Sequence, residues 1–231
     1  SSKKLLELIN EEIYLVEKLS FIDGDVLLRM NYFGLRQYRN YSNISIPVIE
    51  DHSHNIFDEW SQNSKADFCI ASLRKTLPLA GGGMIWSNSH NLSKLSTLIE
   101  NSHQNEQLTR IRWQAMEDKA HYLNINETEC NSSLKDSFRA KYIQTEEEFD
   151  HLPISRISIL DKLFLEKFDI NEWHNRKLQN WRLLIHTLSK ILITKDIRIF
   201  YPSSDKCIPF SLLLLFRNTQ QRDLFRLNLI K

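Results

Sequence analysis

The sequence predicts an α/β protein with a mainly parallel sheet in a large domain, followed by a smaller α+β unit at the C-terminal end. Three observations lead there. Short apolar runs at 26–30, 46–50 and 66–71 each end in a polar cluster, as buried strands do. Apolar residues then recur at helical spacing over about 91–123, from Pro153 to Phe164, and over about 170–193. Two further strand-like runs, 197–201 and 208–216, close the chain with a helix at 219–229.

Taken in order, Leu5, Leu6, Leu8, Ile9, Ile13, Val16 and Leu19 predict an amphipathic helix over 3–19. Asp23-Gly24-Asp25 is a turn, and strand 26–30 follows, ending at Asn31-Tyr32-Phe33-Gly34. A polar loop over 35–45 leads to strand 46–50, which ends at Asp51-His52-Ser53-His54. A short helical piece near 55–61 precedes strand 66–71 and its cluster Ser72-Leu73-Arg74-Lys75. After Gly81-Gly82-Gly83, Met84 to Trp86 make a short strand. Residues 91–123 read as helical, 124–150 as an acidic solvated helix or linker, and Pro153 as the start of another helical stretch. A long helix spans about 170–193, its Trp and Leu residues on one face. The domain boundary is placed there: 1–169 in the large domain and 170–231 in the small one.

Composition narrows the function. With 42% hydrophobic and 26% charged residues the chain is an ordinary globular protein. A net charge of +1 gives no reason to expect nucleic acid or an anionic membrane as partner. The longest apolar run, Phe210 to Phe216, is too short to span a bilayer. Cys69, Cys130 and Cys207 lack CxxC spacing and read as free thiols of a reducing compartment, so the expected location is cytoplasmic. Cys69 is expected to be a buried strand residue. The chain opens Ser1-Ser2-Lys3 without Met and reads as part of something longer.

The chemistry concentrates at two strand ends, where open α/β sheets bind ligands. Lys75 alone would be a solvated charge. Ser72 three residues before it offers a hydroxyl for a phosphate, and Gly81 to Gly83 permit close backbone approach. No GxxxxGK[ST] exists, so this is not a Walker loop. Asp51 reads either as a loop or cap hydrogen-bonding group or as an anionic partner for a protonated pyridine nitrogen. His54 lies three residues further on.

This ordered set, Asp51-x-x-His54 and then Ser72-x-x-Lys75 with Leu77-Pro78 and the glycines, resembles the fold-type-I pyridoxal-phosphate enzymes. The likeness is to the DegT/DnrJ/EryC1/StrS aminotransferases, which act on nucleotide-linked keto sugars. Ile49-Glu50-Asp51-His52-Ser53-His54 is similar to the segment that supplies the pyridinium aspartate, and Asn31-Tyr32-Phe33-Gly34 to an earlier strand-end segment with Asn31 in place of histidine. The resemblance implies an aspartate-aminotransferase-like fold and pyridoxal 5'-phosphate as cofactor. It implies Lys75 as the Schiff-base lysine and proton carrier, Asp51 at the ring nitrogen, Ser72 at the phosphate, and His54 and Asn31 near the ring oxygen. The implied partners are a small-molecule amino donor, a keto-sugar acceptor and a second copy of the chain in a homodimer. Ping-pong amino transfer would follow. The resemblance also implies a second phosphate loop, a ring-stacking aromatic and a further C-terminal end, which residues 1–231 do not supply. Departures from the pattern are the short Ser-to-Lys spacing, the intruding Arg74, and His54 where glutamine is commoner.

Two other readings stand beside this one. The chain could be a non-catalytic or truncated relic of the same fold. Alternatively, His52-Ser53-His54 with Asp51 and Asp58 could hold Zn or Fe in a metal-dependent hydrolase.

Overall fold

The computed structural model describes residues 22–36, 38, 40, 41, 44–125, 132–191, 197–200 and 208–229. The helix predicted over 3–19, and with it Cys130 and Cys207, lies outside the described residues. The chain is mixed α/β. It forms two compact units: residues up to Ala66 together with those from Ile170 onward, and Asp67–Asp169.

In the first unit, β1 (Leu27–Met30) and β2 (Val48–Asp51) pair in parallel, with Arg29 opposite Glu50 and Met30 opposite Asp51. Successive side chains of a strand point to opposite faces. In β2, Val48 and Glu50 are therefore buried while Ile49 and Asp51 are half-exposed. A short helix α1 (Glu59–Asn63) follows, capped by Asp58, whose side chain accepts from Ser61 N. The unit also contains the long helix α6 (Ile170–Ile191), an antiparallel pair β5 (Ile197–Phe200) and β6 (Leu213–Phe216), and α7 (Thr219–Leu229). The strand expected over 208–216 is shorter than the apolar run, because Ile208 and Pro209 are buried ahead of it without pairing.

In the second unit, β3 (Phe68–Ser72) and β4 (Gly83–Trp86) form an antiparallel hairpin, with Ser72 opposite Gly83. Cys69 and Ala71 are the buried residues of β3, as expected for Cys69. The helical pattern over 91–123 is broken into α2 (Ser93–Leu98) and α3 (His103–Asn124), the latter capped by Ser102. The acidic stretch is no linker: Ser132–Asp150 is a helix, α4, packed along α3. Phe138 is buried and sits 5.6 Å from the Tyr122 ring, and buried Thr145 takes a hydrogen bond from Arg112. Helix α5 (Ile159–Lys167) begins at the Ser158 cap and packs Phe164 against Trp113. No helix among the described residues is long and apolar enough to cross a membrane.

Candidate functional site

In the first unit the carboxyl ends of β1 and β2 lie side by side, and Asn31 N donates to Asp51 O at 2.8 Å. Both expected residues are therefore at one edge. Asn31 is fully buried; its amide donates to Asp58 at 2.8 Å, while its Oδ1 has no hydrogen-bond partner. A buried acceptor left unsatisfied is costly, and a donor brought by a ligand would relieve it. Asp51 Oδ1 accepts from Ser53 N at 2.8 Å, a local turn bond that occupies one of its two oxygens.

His54 is held from two sides. Its Nδ1 accepts from Phe33 N at 2.9 Å, and its ring stacks on Phe210 with centroids 4.5 Å apart. With Nδ1 accepting, a neutral His54 carries its proton on Nε2. Phe33 is the one non-glycine residue with positive φ among those described (φ 56°). Such a conformation costs about 1–2 kcal/mol and is kept only where neighbours enforce it. The bond to His54 and the bond that Phe33 O accepts from Phe210 N, 2.8 Å, do so here.

Beneath this edge is a buried polar hub that the motif reading passed over. Glu50 is fully buried and accepts from Trp60 Nε1 at 2.9 Å, Ser64 Oγ at 2.6 Å and the Tyr41 hydroxyl. His52 Nε2 lies 3.0 Å from the same carboxylate. Arg29 reaches within 3.8 Å of it, donates to Tyr41 at 2.8 Å and stacks over Trp60. Burial alone would push the Glu50 carboxyl up, but hydrogen bonds from His52, Ser64 and Tyr41 outweigh it and hold the group below the usual carboxylate range. Burial, with the Glu50 charge beside it, pushes the Tyr41 hydroxyl far up. Strand alternation was the available signal: Glu50 shares a face with Val48, and His52 continues it. Among the described residues, the group of three possible ligand atoms that contains His52 also contains Glu50 and includes none of His54, Asp51 and Asp58. Asp58 is engaged instead as the α1 cap and the Asn31 partner.

In the second unit, Ser72 is the last residue of β3 and Lys75 ends the single 3-10 turn that follows, Leu73–Lys75. Ser72 is half-exposed and makes no capping bond through its side chain; Lys75 is exposed. Leu73 N donates to Gly82 O at 3.0 Å, which closes the loop between β3 and β4. The glycines have a structural use. Gly82 has φ +90°, and a Cβ there would lie 2.9 Å from Ile157 Cδ1. The backbone at Gly81 is approached by Asp161, whose carboxylate accepts from Ala80 N and Gly81 N, both at 3.1 Å, and from Trp113 Nε1 at 3.0 Å. Ser158 Oγ completes the cage at 3.1 Å. Burial pushes the Asp161 carboxyl up against these bonds. The close approach expected at the glycines is thus taken up, at Gly81 and Gly82, by Asp161 and Ile157.

For the pyridoxal phosphate that the resemblance implies, the residues fit in kind. There is a half-exposed carboxylate, a primary amine open to solvent, a strand-end hydroxyl and a buried Asn31 oxygen without a donor. Comparison with protein families, with curated proteins and with solved structures finds no match to this chain.

Proposed function

We propose that this chain carries cofactor-binding residues of a pyridoxal-phosphate-dependent aminotransferase of the DegT/DnrJ/EryC1/StrS kind, with an aspartate-aminotransferase-like fold. The observation that supports it is the position of the polar residues along the chain. Asn31 follows β1, Asp51 ends β2, Ser72 ends β3, and Lys75 lies in the turn just beyond. Each is at a strand's carboxyl end, where α/β proteins bind ligands.

The bound cofactor supplies an electron sink for the bonds around an amino carbon. The Asp51 carboxylate keeps a proton on the ring nitrogen. His54 would donate to the ring oxygen, with Asn31 at the neighbouring strand end. The Ser72 hydroxyl donates to the phosphate. Lys75 Nζ would hold the cofactor through its aldehyde carbon and, when free, would carry a proton as base and then as acid. The acceptor is a keto sugar or a similar small carbonyl compound, and the working form is a homodimer.

Titration with pyridoxal phosphate tests this. The wild-type chain should develop the absorbance band of a lysine-linked cofactor, and Lys75→Ala should lack it. An identical spectrum in the variant removes Lys75 from the reaction.

A further inference from the structure

We propose that Glu146 is a positioning residue for Lys75, acting through Arg74; the proposal rests on the role given to Lys75 above. Arg74 interrupts the motif, and its place in the fold explains why it is there. It precedes Lys75 in the one-turn helix Leu73–Lys75, and its guanidinium grips Glu146 of α4 with two parallel bonds. Nη1 is 2.9 Å from Oε2, and Nη2 is 2.6 Å from Oε1. Such fork-to-fork pairs fix direction as well as distance.

Glu146 is itself held. Arg112 of α3 donates to its Oε2 at 2.6 Å. The Arg112 side chain is 9% exposed; it is anchored by bonds to Tyr142 O at 2.8 Å and Thr145 Oγ1 at 2.7 Å, and it lies over the Tyr142 ring. Arg112 thus ties α3 to α4, and Glu146 carries that anchorage to the residue next to Lys75. The other end of the loop is pinned by Asp161 at the Ala80 and Gly81 amides. Between these points the loop has little freedom to move Lys75. Positioning of this kind matters because a displacement of about 1 Å at a reacting atom can cost on the order of a hundredfold in rate. The bonds to Glu146 also make Arg74 an anchor for the turn and not an anion ligand.

The test compares wild type, Arg74→Gln, Arg74→Lys and Glu146→Gln. Arg74→Gln is the decisive variant, because it leaves the Arg112–Glu146 bond intact and spares the packing of α3 on α4. Each protein is given pyridoxal phosphate and borohydride. Lys75 Nζ condenses with the aldehyde carbon and releases water; hydride then adds to that carbon, and solvent protonates the nitrogen, leaving a secondary amine. The expected result is trapping at Lys75 about tenfold or more slower in Arg74→Gln and Glu146→Gln, with partial recovery in Arg74→Lys. In the same variants the amides of Thr76 and Leu77 should exchange faster with solvent while those of α3 stay protected. Equal trapping rates in wild type and Arg74→Gln would overturn the positioning role and leave the cofactor reading standing. No trapping at Lys75 in the wild type would overturn the cofactor reading, and this proposal with it.

Discussion

Arg29 and Glu50 face one another in register across the parallel pair β1–β2, both buried and 3.8 Å apart. The carboxylate is the hub for Tyr41, Trp60, Ser64 and His52, so the edge that presents Asn31 and Asp51 is built on a satisfied buried charge.

Removing that charge should be costly. Glu50→Gln leaves Arg29 buried without its ion-pair partner, and a buried pair broken on one side loses about 3 kcal/mol. Denaturant unfolding should show a lower midpoint with little change in slope. The double variant Arg29→Met/Glu50→Gln should lose less than the sum of the two singles, because the orphaned cation is gone.

The same hub gives a pH dependence. The folded state holds the Glu50 carboxyl below its ordinary range, so the unfolded chain binds that proton more readily. The stabilisation is complete above the ordinary glutamate value, about 4.3, and is lost as pH falls through the folded-state value. Glu146 titrates with the same sign, because the bonds from Arg74 lower its carboxyl. Asp161 runs the other way. Its carboxyl is raised by burial, so its charge weighs against the fold increasingly as pH rises from the ordinary aspartate value through the folded-state value. Stability against pH should therefore fall more steeply in acid for wild type than for Glu50→Gln.

Gly34 should not tolerate alanine. Its φ is +69°, and an added Cβ would lie 2.6 Å from Asn55 Cβ. Backbone strain and overlap together should cost about 2 kcal/mol, read as a drop in the unfolding midpoint. Gly24→Ala is the comparison. It also has a positive φ, +96°, but meets nothing within 4 Å, so it should cost less.

Asp161→Ala tests the glycine turn. It leaves the Ala80 and Gly81 amides and Trp113 Nε1 without their acceptor, and should cost on the order of 3 kcal/mol. Faster amide exchange at Ala80 and Gly81, with β4 still protected, would locate the loss in the turn.

What the sequence made legible was local. The apolar runs at 26–30, 46–50 and 66–71 became β1, β2 and β3 within a residue or two, since a strand's apolar pattern depends only on its neighbours. The strand ends carrying Asn31, Asp51 and Ser72 were legible for the same reason. Period-two alternation would also have placed Glu50 on the buried face, a reading obscured by the resemblance that drew attention to Asp51. For 124–150 the sequence left helix and linker both open, because the apolar stripe of α4, Leu134, Phe138 and Tyr142, is thin among polar and acidic residues. Arg74–Glu146 and Gly81–Asp161 were not legible at all. Those partners stand 72 and 80 residues apart, and a hydrogen bond between distant side chains leaves no mark on local spacing.

The most direct test of the central claim is to locate the attached cofactor. The intact chain is incubated with pyridoxal phosphate, reduced with borohydride, digested, and mapped by mass spectrometry. One label per chain is expected, on the peptide carrying Lys75, lost in Lys75→Ala and weakened in Asp51→Asn. A label spread over several lysines, or fixed on a lysine other than Lys75, would contradict it.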